Sequence, residues 1–223
     1  MYEGERDWSA VDEYFIGQLV HEDEALREAR LSSSQTVMPL ADVAPNQAAL
    51  LAIIAQISGA RRILEFGTLA GYSTIWFARA VGPAGQVVTL EIDEQTASVA
   101  RSNFERAEVT DRVELIVGPA ADSARALVAR GVEPFDLVFI DADKASSPFY
   151  LDAALKLSRK GTVVIGDNVV RNGAVTDADS DDPRVHGTRS MIEALGNDER
   201  FTATAVQTVG IKGWDGFAIA IVR

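Results

Sequence analysis

The sequence predicts an α/β fold: one mostly parallel sheet with helices on both faces. Three observations carry this. From Arg61 the pattern runs strand, turn, helix, and repeats through five strands. The runs that end the fourth and fifth strands are apolar on successive residues, as strands buried on both faces are. The last two strands are separated only by a glycine-rich connection, which implies an antiparallel pair at a sheet edge. A length of 223 residues suits one α/β domain, and 47% hydrophobic content supplies its core.

Residues 7 to 31 are expected to be helical, because Ile16, Leu19, Val20, Leu26 and Leu31 recur at helical spacing among charged neighbours. Ser32 to Gln35 reads as a break. Asn46 opens a second helix carrying Leu50, Leu51, Ile53, Ile54 and Ile57, which stops near Gly59. Residues 1–58 thus form a helical cap and 59–223 the α/β core of a single domain. Strands follow at Arg62–Phe66, Gln86–Glu91, Val113–Val117, Phe135–Ile140 and Thr162–Ile165. The intervening helices run from Thr74 to Val81, Asp93 to Ala107, Ala121 to Arg130 and Pro148 to Ser158. Asn172 to Arg184, rich in Asp, Gly and Ser, reads as a surface loop. Thr188 to Leu195 is a short helix, and Phe201–Thr208 and Gly216–Val222 are the closing strands. Parallel strands linked this way take right-handed crossovers.

Composition narrows the function. A net charge of −12 repels phosphate backbones, so no nucleic-acid partner is expected. No run of about 18 apolar residues exists to span a membrane. The opening Tyr2 to Asp7 is acidic and lacks the apolar stretch of a leader. Cysteine is absent, which excludes thiolate metal sites and fits a cytoplasmic protein.

Two segments at strand ends carry the chemistry. Phe139-Ile140-Asp141-Ala142-Asp143-Lys144 closes the fourth strand, and Val164-Ile165-Gly166-Asp167-Asn168 the fifth. Ligands of open α/β sheets gather at the carboxyl ends of strands. Asp141, Asp167 and Asn168 offer two carboxylates and an amide carbonyl, a hard-oxygen set suited to Mg²⁺, Mn²⁺ or Ca²⁺. Lys144 stands close enough to act as a base. After the first strand, Glu65-Phe66-Gly67-Thr68-Leu69-Ala70-Gly71-Tyr72-Ser73 forms a turn whose glycines let the backbone approach a ligand. Its Gly-x-x-x-Gly spacing departs from the dinucleotide fingerprint and disfavours a dehydrogenase. Glu91, about twenty residues on, sits where an acid takes ribose hydroxyls. Glu65 is expected to face the same cleft, and an acidic cleft suits a cation such as a sulfonium.

These motifs, together with Gly118-Pro119-Ala120, resemble the metal-dependent, S-adenosylmethionine-dependent O-methyltransferases of the caffeoyl-CoA and catechol type, over roughly Val37 to Arg223. The resemblance implies a Rossmann-like seven-stranded sheet of order 3-2-1-4-5-7-6 with the last strand antiparallel. It implies that Glu65, Gly67, Thr68 and Ser73 line the methionine side of S-adenosylmethionine. Val43 would lie near the methionine end, Glu91 on the ribose and Ala120 by the adenine. Asp141 would touch both cofactor and metal. Asp141, Asp167 and Asn168 would bind the cation, with Lys144 as catalytic base. The implied substrate is a small catechol- or phenylpropanoid-like vicinal diol, and the implied assembly a homodimer. Ser147 replaces a tyrosine common in the family, while Tyr150 keeps a second one. Two alternatives stay open: a methyltransferase for another natural-product hydroxyl, and a nucleoside-binding module without turnover.

Overall fold

The computed structural model describes residues 7–223; the acidic opening segment, residues 1–6, lies outside them. Seven strands form one sheet: β1 (Arg62–Phe66), β2 (Gln86–Glu91), β3 (Val113–Val117), β4 (Phe135–Ile140), β5 (Ser158–Asp167), β6 (Phe201–Gly210) and β7 (Gly213–Val222). Their order is β3-β2-β1-β4-β5-β7-β6. The first five are parallel, and β7 runs antiparallel to both β5 and β6. The order that the resemblance implied is therefore the order found.

Alternate residues of each central strand feed opposite cores. Leu137 and Phe139 of β4 join Ile63, Phe77 and Phe104 on one face. Val138 and Ile140 join Leu64, Leu127 and Leu151 on the other. Burial on both faces is why these strands read as apolar-rich runs. Helices α3 (Pro45–Ile57), α4 (Tyr72–Val81) and α5 (Glu94–Arg106) serve the first core. Helices α6 (Ala120–Ala129), α7 (Ser147–Lys156) and α8 (Pro183–Asn197) serve the second.

Four boundaries depart from expectation. The helical stretch over 7–31 is broken into α1 (Trp8–Leu19) and α2 (Glu24–Ser32). Asp23 accepts from the Leu26 N–H and so caps a new helix start inside an acidic run. Strand β5 is longer than expected and reaches Asp167, which pairs with Phe217 of β7. The expected loop over 172–184 contains a 3₁₀ stretch, Arg171–Thr176, and α8 begins at Pro183 under an Asp182 cap. Finally, β6 and β7 close into a two-residue hairpin, with Gly210 opposite Gly213 and Ile211-Lys212 at the tip. No helix among the described residues is long and apolar enough to cross a membrane.

Candidate active site

The carboxyl ends of β1, β2, β4 and β5 meet on one side of the sheet. Asp141 follows β4 directly, and its N–H bonds the Phe66 carbonyl at the end of β1 (2.9 Å). In the β4–β5 ladder Ile140 pairs with Gly166. Asp141 and Asp167, the next residues, are therefore side by side at neighbouring strand ends. Asn168 turns the chain out of β5 with a φ of 53°. Lys144, on the single 3₁₀ turn Lys144–Ser146, is only 8% exposed. Its Nζ donates to Asp141 Oδ1 at 2.7 Å. Asp143, next to it in sequence, instead accepts from the Ser146 N–H and the Tyr150 hydroxyl.

Asp167 is 4% exposed. Burial first, then the charge of Asp141, pushes its carboxyl well above the usual range, against the opposing effect of Lys144. Gln47 Nε2, from α3, donates to Asp167 Oδ1 at 2.8 Å. Among the described residues no three His, Cys, Asp or Glu side chains gather as a metal cluster. The set brought together here is smaller and mixed: two carboxylates and an amide, all oxygen donors. Asp167 is buried and Asp141 half-buried, and Lys144 pairs with Asp141 alone, so the oxygen-donor chemistry fits a hard divalent cation.

The β1–β2 side is organised differently. Glu65 is fully buried, which corrects the expectation of an acid open to the cleft. It accepts from Ser73 Oγ (2.6 Å), Thr89 Oγ1 (2.7 Å) and Thr74 Oγ1. Burial pushes its carboxyl up to about 7, though the three hydroxyls pull the other way. Thr68 Oγ1 lies 2.6 Å from Thr89 Oγ1 and joins this network. Glu91 Oε2 accepts from the Leu69 N–H (2.9 Å), tying the end of β2 to the glycine turn. Its Oε1 takes the N–H groups of Ile92 and Asp93. Ala120 opens α6 beside Gly118, whose N–H bonds the Glu91 carbonyl. Both turn glycines are required by the protein itself. A Cβ on Gly67 would strike the Asp141 carbonyl, and one on Gly71 the ring of Phe104.

Val43 is distant in sequence but lines the same cavity as Asp167 and Asn168, of about 420 Å³. Three contributors escaped the sequence reading. Gln47 bonds a residue 120 positions away. Asp12 of α1 joins α3 to the hairpin, through Asn46 Nδ2 (2.9 Å) and the Ile211 N–H (3.0 Å). Gly187 lets α8 lie against the Lys144 carbonyl, where any Cβ would collide. None of the three carried a signal in the sequence: Gly187 fell outside the helix expected from Thr188 and lies inside α8 only in the structure.

A family model described as O-methyltransferase matches residues 17–220. A catechol O-methyltransferase of Niastella koreensis is 45% identical over 216 residues, 97% of this chain and 98% of its own. An O-methyltransferase from Bacillus cereus, solved in complex with SAH, superposes with a TM-score of 0.93 at 51% identity, over 97% of this chain and 98% of that one. A Streptomyces achromogenes O-methyltransferase involved in tomaymycin synthesis, solved with SAM, has a TM-score of 0.94 at 47% identity over 96% of each chain. With strand order and family model in agreement, the chain belongs to the O-methyltransferase family, enzymes that draw their methyl group from S-adenosylmethionine.

Proposed function

We propose that this enzyme methylates one hydroxyl of a small aromatic vicinal diol, with S-adenosylmethionine as donor and a divalent cation, Mg²⁺ foremost, as helper. The observation that carries the reading is the pairing of Asp141 with Asp167 at adjacent strand ends, with Lys144 Nζ 2.7 Å from Asp141. The relative named catechol O-methyltransferase supports the substrate class.

S-adenosylmethionine would supply a methyl held on a sulfonium, which passes to an oxygen nucleophile in line as the C–S bond breaks and the neutral thioether, S-adenosylhomocysteine, leaves. The cation would be held by Asp141, Asp167 and Asn168, and it would lower the pKa of a diol hydroxyl and fix its direction of attack. Lys144 is the assigned base: with a bound cation taking over as the partner of Asp141, its Nζ, as the free amine, would accept the hydroxyl proton. Its burial keeps that nitrogen in one place. Gly67 brings the cofactor turn against Asp141, so donor and acceptor sides share a wall. Glu65, Gly67, Thr68, Ser73 and Val43 are assigned to the methionine side, Glu91 to the ribose and Ala120 to the adenine. Asp141 serves both groups.

A methyl-transfer assay with catechol tests this. Turnover should require added Mg²⁺ and vanish in EDTA; full turnover in metal-stripped buffer would reject it. A second reading, a natural-product hydroxyl as acceptor, is favoured by the Streptomyces relative in tomaymycin synthesis. Failure of simple diols, with metal-dependent methylation of larger phenols, would select it. The proposal includes a homodimer: α1 leaves Val11, Tyr14 (65% exposed), Phe15 and Leu19 (72%) uncovered. Sedimentation at micromolar concentration should show two copies.

A further inference from the structure

The proposed function leaves the far end of the acceptor without a partner. Two cavities meet there. The first, of about 420 Å³, opens on Asp167 and Asn168 between Met38, Val43, Leu50 and Phe217. The second, of about 370 Å³, reaches the start of α8 and carries Arg184 and Trp214 in its wall. Arg171, Lys212 and Asp215 line both. Arg171 comes only three residues after Asn168, so the chain leads from the cation set straight to this shared wall.

The backbone is bent to place Arg171 there. Arg171 and Asn172 both adopt left-handed conformations, with φ of 56° and 52°. Such a conformation is unfavourable for a residue like Arg171, and less so for Asn172. Asp215 holds the bend, because its Oδ1 accepts from the N–H groups of Val170 (3.1 Å), Arg171 (3.3 Å) and Gly216 (3.0 Å). Strain kept in place by a buttress of this kind marks a working position.

The acids around these cavities are already engaged. Asp215 is spent on that bend. Asp12 takes Asn46 and the Ile211 N–H, and Asp42 takes Ser33 Oγ. Asp182 caps α8, pairs with Arg184 and also feels the charge of Arg171. Asp167 belongs to the cation set. The basic groups are less occupied. Among the described residues the Arg171 guanidinium makes no hydrogen bond or ion pair, and Lys212 Nζ has the Leu40 carbonyl alone (2.8 Å). Carboxylates engaged in this way keep their charge, so what the wall offers an anion is local: the spare donors of Arg171 and Lys212, which line both cavities.

We infer that the acceptor carries a carboxylate at the end away from its diol, bound by Arg171 and Lys212. This rests on the proposed placement of the diol at Asp141, Asp167 and Asn168. The apolar walls between suit an aromatic ring. A planar guanidinium matches a carboxylate with two parallel bonds, and an ammonium adds a point charge. Two cations balance one carboxylate; a carrier bearing several phosphates would call for more.

Calorimetry on enzyme loaded with Mg²⁺ and S-adenosylhomocysteine tests the inference without turnover. The probes are 3-(3,4-dihydroxyphenyl)propanoate, its methyl ester, and the same pair without hydroxyls. The dihydroxy acid should bind about tenfold or more tightly than its ester, a preference that shrinks with added salt. In the Arg171→Gln, Lys212→Gln double variant the acid-to-ester ratio should fall to about two or less. The ratio is taken within one protein, so a general loss of fold cancels. Equal binding of acid and ester by the unaltered enzyme, a preference unchanged in the variant, or no binding of the acid at millimolar concentration would each overturn the carboxylate site. Removing the hydroxyls tests the diol reading separately: undiminished binding sinks that reading while the acid-to-ester comparison still stands.

Discussion

At the ends of β1 and β2, Glu65 and Glu91 meet donors from their own chain. At the ends of β4 and β5, Asp141 and Asp167 meet chiefly each other and one lysine. Glu65 holds three hydroxyls and Glu91 three backbone N–H groups. Asp141 has Lys144, and Asp167 has Gln47 and the backbone of Asn168. The first half is a finished hydrogen-bond network that shapes a turn. The second concentrates negative charge and pushes the Asp167 carboxyl toward its protonated form; under the proposed function a bound cation would balance it. A buried polar group without its complement is costly. Under the proposed function a bound cation would complete the second half, so that the residue type that builds a scaffold in one half would build a reactive centre in the other.

The sharpest way to break this contrast is to remove charge from the second half. Asp167→Ala should lower turnover by roughly a thousandfold or more, because several kcal/mol of transition-state stabilisation go with the cation. The same change should stabilise the protein in EDTA by relieving repulsion with Asp141. Steady-state rates over a Mg²⁺ series and urea melts in chelator check the two arms. A variant that kept its rate would place the chemistry elsewhere. Lys144→Ala should cost roughly 10²–10³ in kcat with little change in S-adenosylmethionine affinity, the mark of a general base. Equal losses in both would make Lys144 structural.

The first half is tested through stability. Glu65 has its folded carboxyl at about 7 against an ordinary value of 4.5. Below 4.5 it is protonated in both states and has no effect. Between 4.5 and 7 the unfolded chain releases the proton first, so stability falls as pH rises, and the full cost holds above 7. That cost is about 3 kcal/mol. Glu65→Gln should flatten the curve over this window, read as the difference between variant and parent in denaturant melts at pH 5 and pH 8. Asp167 also titrates high, but it contributes to both proteins and cancels. Parallel curves would mean that the three hydroxyls already offset the burial.

Most of the scaffold was legible because its signals are local. The first four strands lie where short apolar-rich runs place them, although Glu65, Thr89, Glu114 and Asp136 interrupt those runs and β3 is only half-buried. Asp141, Lys144, Asp167 and Asn168 were visible as neighbours in sequence at two strand ends. The start of α8 was also legible: Asp182-Pro183 is a cap followed by proline at the first helical position, yet the surrounding aspartates read as loop. The cap at Asp23 was hidden in the same way by the acidic run around it. Long-range contacts leave no such trace. Nothing near Asp12 announces that it bonds the hairpin tip, because helix α1 and that tip meet only once the sheet has closed.

Gln47 is the clearest case of such a contact and gives the finest test. It sits on α3, outside the half of the sheet whose charge it steadies, and its Nε2 fixes one oxygen of Asp167. A group that orients a metal ligand without touching the metal tunes affinity by roughly tenfold to a hundredfold. Gln47→Leu should therefore weaken Mg²⁺ on the order of tenfold, while kcat at saturating Mg²⁺ falls far less. Gln47→Glu should not substitute for it, because a third carboxylate against Asp167 offers no donor and adds repulsion. Titrating Mg²⁺ against activity separates these outcomes. If Gln47→Leu lowered kcat and left the Mg²⁺ requirement unchanged, Gln47 would belong to the acceptor pocket it also lines, and Asp167 would owe its orientation to the β5–β7 ladder alone.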